Sequence, residues 1–342
     1  MSGALTDPAA TPAIAVVVVA HGAGGYLEQV ARSLAALTLK PRRVLVVDNA
    51  SRDGAVDALA AAHPDVEVLR PGRNLGFAAG NNAAARAAGG CEWLALLNPD
   101  AFPEPDWLAA LAQAAREHPE CALIASRLDR ATVPDELDGT GDVYHVSGLA
   151  WRRDHRRPVA DGAGGGEVFS ACAAAALYRR DAFLAAGGFD ERYFCYFEDT
   201  DLAFRLRLAG HGCRYEPRSV ARHVGSSTAG VESDFTIYHS HRNLVWTYAK
   251  NMPGALAWVY LPQHLLLNLL SVAWFCLRGQ SRPILTAKRD AVRGLPRVLG
   301  QRRAIQAARR VESRELLRVM SRGRGAYVTA LRRAAASLRG AR

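Results

Sequence analysis

Short apolar runs alternate with amphipathic stretches along the first third of the chain. Each run is rich in Val, Ile, Leu and Ala and ends in small or polar residues, as in IAVVVVA before His21 and Gly22. Such runs are typical of strands buried on both faces of a parallel sheet, and the stretches between them have helical spacing. The pattern predicts strands at 14–20, 43–47, 66–69, 92–97 and 121–124, with helices at 26–37, 54–62, 76–88 and 105–118.

This alternation predicts an α/β fold in which a mostly parallel sheet carries helices on both faces. Right-handed crossovers bring the carboxyl ends of the strands to one edge, where such sheets bind ligands. Residues 14–125 are therefore predicted to form a nucleotide-binding half. Residues 1–13 are small, contain proline and lack a hydrophobic core, so we predict a disordered leader.

The second half of the chain has a weaker pattern. Residues 126–167 are polar and rich in glycine, which favours an insertion or a long surface excursion that contributes to specificity. Beyond them, the pattern predicts strands at 168–178, 214–216 and 220–223, and helices at 181–186, 199–209 and 234–250.

Residues 255–277 form a run without Asp, Glu, Lys or Arg. The run is long enough to span a bilayer, but Pro262, Gln263, His264 and Asn268 interrupt it. A single span would also place the body of the protein and its basic tail on opposite sides, and basic tails favour the cytoplasmic side. We therefore expect an in-plane or re-entrant segment at a membrane; the alternative is a buried core helix.

Charge narrows the range of partners. The chain has 342 residues and a net charge of +10, yet 18 of its 43 lysines and arginines lie after Leu277, beside three acids. A basic tail on a mildly acidic body indicates a local anionic partner, either a membrane surface, an RNA or a phosphorylated substrate. Since Tyr327 is the tail's only aromatic residue, stacking on RNA bases is disfavoured. We predict an anionic membrane surface for residues 254–342, and no nucleic acid.

The cysteines bear on the compartment. The six are scattered without a CxxC pair, and the chain shows no signal peptide. This favours reduced thiols over a disulfide framework or a zinc site. With the basic tail, it predicts a peripheral protein on the cytoplasmic face of a bacterial inner membrane.

Several acids stand directly after predicted strands. Asp48 could accept hydrogen bonds from a ribose or a base, or it could form an Asx turn or a helix cap. Asp100, in the sequence Asn98-Pro99-Asp100, could hold a divalent cation that bridges a diphosphate, or it could cap the following helix. By itself, neither position separates these alternatives.

A second group of candidates lies in the later half. Glu198, Asp199 and Asp201 repel one another unless a cation, a proton or a helix N-terminus relieves them, so a functional role is favoured, including that of a general base. His223 becomes a metal-ligand candidate if the fold brings it near Asp100. The glycines after the first strand do not form GxGxxG, because the last required position is Leu27.

Together these motifs resemble the family 2 glycosyltransferases with the GT-A fold, and more narrowly their bacterial rhamnosyltransferase-like members. The resemblance covers residues 14–253, with residues 126–253 as the acceptor half. It is carried by the order and spacing of VLVVDNAS, RNLGFAAGNNAA, LLNPDA, GGFDERYFCYFEDTDLAFRLRLAG, RHVGSS and HRNLVWTYAKNMP.

The resemblance implies a role for each matching residue. Asp199 would be the catalytic base, with Glu198 and Asp201 supporting it or binding acceptor. Asp100 would be the metal-binding acid of the family's DxD motif and His223 a further ligand, with Asn98 in place of the first Asp and open to a metal or a sugar hydroxyl. Asp48 would contact the donor nucleoside, Asn74, Gly76 and Asn81 would line the donor pocket, and Arg242 would meet an acceptor or donor phosphate.

The implied activity is an inverting transfer, with Mg²⁺ or Mn²⁺, from a nucleotide-diphosphate sugar to a glycan or polyprenyl-linked acceptor. Three alternatives remain at this stage. They are an inactive membrane-tethered scaffold that binds glycans or nucleotide sugars, a nucleotidyltransferase and an RNA binder. The second is disfavoured because the loop after the first strand, AHGAGGYL, has no basic residue for a phosphate.

Overall fold

The computed structural model of the protein describes residues 12–225 and 233–323. Its strands are β1 (Ile14–Ala20), β2 (Arg43–Asp48), β3 (Val66–Leu69), β4 (Trp93–Leu97), β5 (Ala101–Pro103), β6 (Cys121–Arg130), β7 (Leu137–Gly139), β8 (Asp142–Tyr144), β9 (Ala150–Arg152), β10 (Gly166–Glu167), β11 (Ala175–Arg179) and β12 (Gly212–His223). Its helices are α1 (Tyr26–Ala35), α2 (Ala55–Ala62), α3 (Gly76–Ala87), α4 (Trp107–Glu117), α5 (Arg180–Ala185), α6 (Glu198–Leu208), α7 (Asp234–Asn251), α8 (Gly254–Val259), α9 (Leu261–Leu277), α10 (Ser281–Ala307) and α11 (Ser313–Val319). Short 3-10 turns lie at Val159–Gly162 and Glu191–Tyr193.

A mixed sheet of ten strands forms the centre of the described structure. Its order is β10-β12-β6-β11-β4-β1-β2-β3, with β5 beside β12 and β7 beside β6. The pairs β4–β1, β1–β2 and β2–β3 are parallel, as predicted. By contrast, β11 is antiparallel to both β4 and β6. The predicted α/β fold class is confirmed, but the sheet as a whole is mixed, since the strands β5, β7, β10 and β11 pair antiparallel with their neighbours.

Helices cover both faces of this sheet. Ile14, Val16 and Val18 pack in one core with residues of α1, α2 and α4, while Ala15 and Val17 pack in the other with residues of α3, α5 and α6. All seven residues of β1 are buried, because both sides of the strand face helices. This explains why its sequence is apolar throughout rather than alternating.

Several strands differ in extent from the prediction. The two short strands predicted near the end of the sheet are one strand, β12, with an irregularity between Glu216 and Val220. β6 continues to Arg130, because its polar end pairs with β7 and β12. The strand predicted at 168–178 begins only at Ala175, because the preceding residues leave the sheet and line a pocket at its edge.

The predicted surface excursion at 126–167 is wrong for much of its length. Its residues form the end of β6, the strand β7 and the hairpin of β8 and β9. Asp138, Thr140, Asp142 and Tyr144 are all buried. The polarity of the segment therefore reflects an internal hydrogen-bonded network rather than contact with solvent.

The apolar run 255–277 forms two helices, α8 and α9, which are separated by Tyr260. Within the described ranges, no helix combines the length and the apolar character needed to cross a bilayer. The buried residues of α9 are His264 and Leu267, and the ring of His264 stacks on Tyr248 with centroids 3.9 Å apart. Residues 1–11 of the predicted leader and 324–342 of the basic tail lie outside the described residues.

Candidate active site

The carboxyl ends of β1, β2 and β4 lie side by side at one edge of the sheet. Ala20 is in register with Asp48, and Val18 with Leu97. β11 runs in the opposite direction, so its amino end reaches the same edge, where the Asn98 backbone N–H donates to the Ala174 carbonyl at 2.8 Å. The segments after β2 and β4 and before β11 therefore converge at this edge.

Asn49 connects the segments that carry the predicted donor-binding residues. Its buried amide donates to Asn74 Oδ1 at 2.9 Å and to the Gly76 carbonyl at 3.2 Å. Its Oδ1 accepts from the Leu75 backbone N–H at 2.7 Å. The end of β2 and the start of α3 are thus held together by one side chain that the sequence analysis did not single out.

Asp48 lies beside this junction and already has partners. Its carboxylate accepts from the Ser51 backbone N–H at 2.9 Å and pairs with Arg70 at 2.7 Å. Asp48 therefore forms the Asx-type turn that was one of its two predicted roles. Since Asn74 is held through Asn49, two of the predicted donor-binding residues, Asp48 and Asn74, lie at the same end of the sheet.

Asp100 and His223 come together as the sequence analysis anticipated. The Val224 backbone N–H donates to the Asp100 carbonyl at 3.0 Å, and His223 Nε2 lies 3.4 Å from Asp100 Oδ1. The amide of Asn98 is also 3.4 Å from Nε2. Burial lowers the pKa of His223 even though the Asp100 carboxylate acts in the opposite direction, so the imidazole is neutral near pH 7.

A pocket of about 270 Å³ opens next to this group. Asn98 lies on its wall together with Arg152 of β9 and the residues before β11. Three carboxyl groups also line it, namely Asp142 of β8 and the adjacent Glu198 and Asp199 at the start of α6. The pocket therefore combines acids with one strong cation in a space that suits a small polar ligand.

The three acids differ in their hydrogen bonds. Asp199 accepts from the backbone N–H groups of Thr200 at 2.7 Å and Ala173 at 3.3 Å. Glu198 Oε2 is buried without a hydrogen-bond partner among the described residues. Asp142 accepts from the Ser170 hydroxyl at 3.0 Å.

Their pKa values follow from these surroundings. Burial raises the pKa of Asp199, and its two N–H bonds oppose that rise. Burial and the charge of Asp199 together raise the pKa values of Glu198 and Asp142 well above their usual range. Of the three, Asp199 is therefore the acid most able to ionise, whereas the surroundings of the other two disfavour their charged forms.

The loop before α6 is strained in a way that aims these acids. Phe194, Tyr196 and Phe197 all have positive φ, near +65° to +68°, which is unfavourable for bulky side chains. Gly76 makes room for the loop, since a Cβ on that residue would lie 2.5 Å from the Phe194 ring. The Phe194 carbonyl in turn accepts from the Phe77 backbone N–H at 2.9 Å.

Asn243 of α7 holds the other side of the same loop. Its buried amide nitrogen lies within hydrogen-bond distance of the carbonyls of Tyr193, Cys195 and Tyr196, at 3.1, 3.0 and 2.8 Å. The neighbouring Arg242 donates to the carbonyls of residues 192 and 193 at 2.9 and 3.1 Å. The strain is thus maintained from two helices, α3 and α7, that are far apart in the sequence.

The structure corrects three of the predicted site residues. Asp201, expected to support the base or bind acceptor, is fully buried and pairs with Lys250 at 2.9 Å; the charges of Lys250 and Arg205 lower its pKa against the effect of burial. Arg242, expected to bind a phosphate, instead donates hydrogen bonds to backbone carbonyls and stacks its guanidinium on the Trp246 ring. Asn81, expected in the donor pocket, is buried within α3 and donates to the Phe77 carbonyl.

Sequence reasoning missed Asp142 and Arg152 because they lie in the segment interpreted as a surface excursion. The sequence DGTGD at residues 138–142 is typical of a solvated turn, so no local signal indicated that these residues are buried. Asn49 lies in the motif VLVVDNAS, but its position after a strand did not by itself indicate its role in joining β2 to α3. Asn243 stands inside the motif HRNLVWTYAKNMP, beside the arginine that was chosen instead.

Known proteins are similar to this chain in sequence. The profile of Glycosyl transferase family 2 matches residues 15–185. N-acetylglucosaminyl-diphospho-decaprenol L-rhamnosyltransferase of Mycobacterium tuberculosis is 30% identical over 263 residues, which is 68% of this chain and 83% of that protein. Pre-mycofactocin glycosyltransferase of the same species is 32% identical over 54% of this chain and 38% of its own length.

Solved structures share the fold at low identity. TarS 1-349 of S. aureus in complex with UDP aligns with a TM-score of 0.56 and 16% identity, over 86% of this chain and 87% of that one. The mannosyltransferase PcManGT from Pyrobaculum calidifontis, in complex with GDP-Man and Mn²⁺, aligns with a TM-score of 0.52 and 19% identity, over 88% and 87%. The family match and the relative that is 30% identical show that this chain belongs to Glycosyl transferase family 2, and with the similar solved structures they identify it as a glycosyltransferase with a GT-A-like fold.

Proposed function

We propose that this glycosyltransferase moves a sugar, with a rhamnose-like hexose favoured, from a nucleotide-diphosphate sugar to a hydroxyl of a glycan or lipid-linked acceptor in cell-envelope polysaccharide synthesis. The pocket that Asp199 and Asn98 line, beside the Asp100–His223 pair, carries the proposal. The M. tuberculosis relative named for L-rhamnosyl transfer and N-acetylglucosaminyl-diphospho-decaprenol supports the sugar and acceptor classes. The structures with UDP and GDP-Man support a nucleotide-sugar donor.

Asp199 acts as the general base in this proposal. It takes the proton of the acceptor hydroxyl while the acceptor oxygen forms a bond to the anomeric carbon of the donor sugar. The bond from that carbon to the diphosphate breaks, and its electron pair leaves with the nucleoside diphosphate. Because burial and the charge of Asp199 disfavour the charged forms of Asp142 and Glu198, neither is favoured as a nucleophile, and the proposed reaction is a single displacement that inverts the anomeric centre.

The Asp100–His223 pair suits a divalent cation, Mg²⁺ or Mn²⁺. A neutral imidazole donates one hydrogen bond, and both of its nitrogens face carboxylates here, Asp138 at 2.8 Å and Asp100 at 3.4 Å. One ring nitrogen therefore has a lone pair that faces a carboxylate oxygen, and a cation between these two acceptors would remove their repulsion. Once bound, the ion would neutralise the charge that develops on the leaving diphosphate.

The protein supplies only part of such a coordination shell. Across residues 12–225 and 233–323, no cluster of three or more His, Cys, Asp and Glu side chains is arranged to hold a metal. Ions of this kind are commonly bound by one or two carboxylates together with substrate phosphates and water. The Asp100–His223 pair is therefore expected to complete its site when the donor binds.

An anionic membrane surface is the proposed location of the acceptor. Eleven of the thirteen large apolar side chains that are exposed in the described structure belong to α8, α9 and α10, between Trp258 and Leu299. Arg278, Arg282, Arg289 and Arg293 lie in the same region. An apolar surface bordered by arginines fits the boundary between the acyl chains and anionic head groups on the cytoplasmic side.

A donor screen tests the proposed function. The full-length protein would be incubated with dTDP-, UDP- and GDP-sugars and a polyprenyl-diphosphate-linked sugar, in Mg²⁺, Mn²⁺ or EDTA, and release of nucleoside diphosphate measured. We expect metal-dependent release from one donor class, which Asp100→Ala and Asp199→Ala abolish. The matched control is Asp181→Ala, which removes an exposed acid of α5 and is expected to leave the rate unchanged. No release with any donor and acceptor would overturn the proposal and favour an inactive scaffold.

A further inference from the structure

A third carboxylate, Asp138, stands behind the Asp100–His223 pair. Its Oδ2 lies 2.8 Å from His223 Nδ1. On the other side of the ring, Nε2 is 3.4 Å from Asp100 Oδ1. Because a neutral imidazole carries one N–H, the shorter contact assigns that proton to Nδ1 and leaves the lone pair on Nε2.

The backbone places Asp138 there by means of a β-bulge. In the pairing of β6 with β7, Leu128 is opposite Gly139 and Asp129 is opposite Leu137, so Asp138 is the extra residue between them. A bulge re-aims the side chain of the extra residue and commonly occurs beside functional sites. The carboxylate is consequently directed at His223, at the end of β12, instead of continuing the alternation of β7.

Two further contacts hold Asp138, one at its carboxylate and one at its backbone. Arg152 forms an ion pair with Asp138 Oδ2, and Arg152 itself packs against Gly139, where a Cβ would lie 3.3 Å from its side chain. The His155 ring nitrogen Nδ1 contacts the Asp138 backbone carbonyl at 2.8 Å. Asp138 is almost completely buried, so its charge is held by these partners rather than by water.

We propose that Asp138 is a positioning residue for the cation site: it holds His223 in the Nδ1–H tautomer, so that the Nε2 lone pair is presented beside Asp100. Histidines that bind metals commonly donate their other N–H to a carboxylate in this way, which fixes the ring orientation and raises the basicity of the ligand. The inference rests on the proposed function, because that function requires a cation at Asp100 and His223. The ligand of this site is a divalent cation, such as Mn²⁺, that binds carboxylate oxygen and imidazole nitrogen.

Two readouts on the full-length protein test this without any donor. Long-range ¹H–¹⁵N correlation spectra of ¹⁵N-histidine protein report the His223 tautomer, with the signal assigned by His223→Gln. Electron paramagnetic resonance with Mn²⁺ alone reports the affinity of the two protein ligands, which is expected to be measurable but weaker than when donor phosphates complete the shell. We expect wild-type His223 to be protonated on Nδ1. In Asp138→Ala we expect both tautomers and an affinity for Mn²⁺ that is about 10- to 100-fold weaker.

Asp129→Ala is the matched control, since it removes a neighbouring, partly buried acid of β6, whose partner is Arg127. It is expected to leave the His223 tautomer and the Mn²⁺ affinity unchanged. Asp138→Asn serves if the alanine variant does not fold, because the amide keeps the shape but loses the charge, and intermediate values are expected.

A wild-type His223 protonated on Nε2, no binding of Mn²⁺, or an Asp138 variant that keeps both tautomer and affinity would overturn the inference. Failure of the donor screen with the tautomer intact would instead contradict the proposed function alone.

Discussion

At the scale of single residues, Glu198 and Asp199 show how the environment separates two neighbouring carboxyl groups. Both are buried at the start of α6, yet Asp199 receives two backbone N–H bonds while one oxygen of Glu198 has no hydrogen-bond partner in the described structure. The same helix N-terminus therefore stabilises one charge and not the other. Residue type alone does not distinguish them, because the difference lies in which backbone groups each side chain reaches.

This difference predicts opposite outcomes for two isosteric substitutions. Asp199→Asn removes the proposed base and is expected to lower kcat by about 10²- to 10⁴-fold while leaving donor affinity nearly unchanged. Glu198→Gln replaces an acid whose charged form is disfavoured by burial with a neutral group of the same shape, and kcat is expected to stay within about tenfold of the wild type. Steady-state kinetics at pH 7 with the donor identified in the screen measures both. A larger loss in Glu198→Gln than in Asp199→Asn would move the role of base to Glu198.

At the scale of elements, the strained loop between the 3-10 turn Glu191–Tyr193 and α6 depends on helices on both sides. Gly76 of α3 makes space for Phe194, and Asn243 of α7 bonds to three of the loop's carbonyls. These contacts oppose the backbone strain of the three residues with positive φ, Phe194, Tyr196 and Phe197, which directly precede Glu198 and Asp199. The loop geometry is thus a property of the assembled elements rather than of its own sequence.

Asn243→Ala is therefore expected to damage both catalysis and stability. Loss of the clamp leaves buried carbonyls unsatisfied, which costs about 1–3 kcal/mol of folding free energy, and it lets the base shift, which costs about 10²-fold in kcat. Thermal unfolding and kinetics measure the two effects. The control is Asn268→Ala on α9, which also loses hydrogen bonds but contacts Lys288 rather than the loop. Equal losses of kcat in both variants would contradict the positioning role.

At the scale of the whole molecule, the exposed apolar residues are concentrated instead of scattered. Eleven of the thirteen in the described structure lie on α8, α9 and α10, and α9 attaches to the body through His264 and Leu267. Scattered exposed apolar residues are ordinary on proteins, but a concentration of them on neighbouring helices favours an interaction surface, here called the patch. Since arginines stand among these residues in the sequence, an anionic lipid surface is the proposed partner.

The patch makes a prediction that vesicle sedimentation can test. The full-length protein is expected to pellet with vesicles that contain anionic phosphatidylglycerol, and less so as salt is raised. The double variant Leu266→Glu, Leu269→Glu is expected to weaken this binding by more than about tenfold, because two leucines no longer insert. Tyr26→Glu, which changes an exposed aromatic residue of α1, is the control and should bind as the wild type does. Undiminished pelleting of the double variant would assign the patch to another partner.

The sequence by itself determined the elements whose periodicity is strong and local. The runs of β1, β2 and β4 are apolar because both sides of each strand face helices, and that requirement is visible residue by residue. It also placed Asp100, Asp199 and His223 as candidates, because acids directly after buried strands or at a helix start stand at the ligand edge. Their proximity was a conditional expectation, and the contact between Asp100 and His223 confirms it.

Only the tertiary structure decided which polar residues face the pocket and which support it from behind. Asp201 and Asp199 are two residues apart in the same motif, yet one is enclosed by Lys250 and Arg205 and the other lines the pocket. Asp138 and Asp142 entered the site from a segment whose polarity had predicted exposure. Burial of a polar group is settled by partners that come from distant parts of the chain, and no local pattern records those partners.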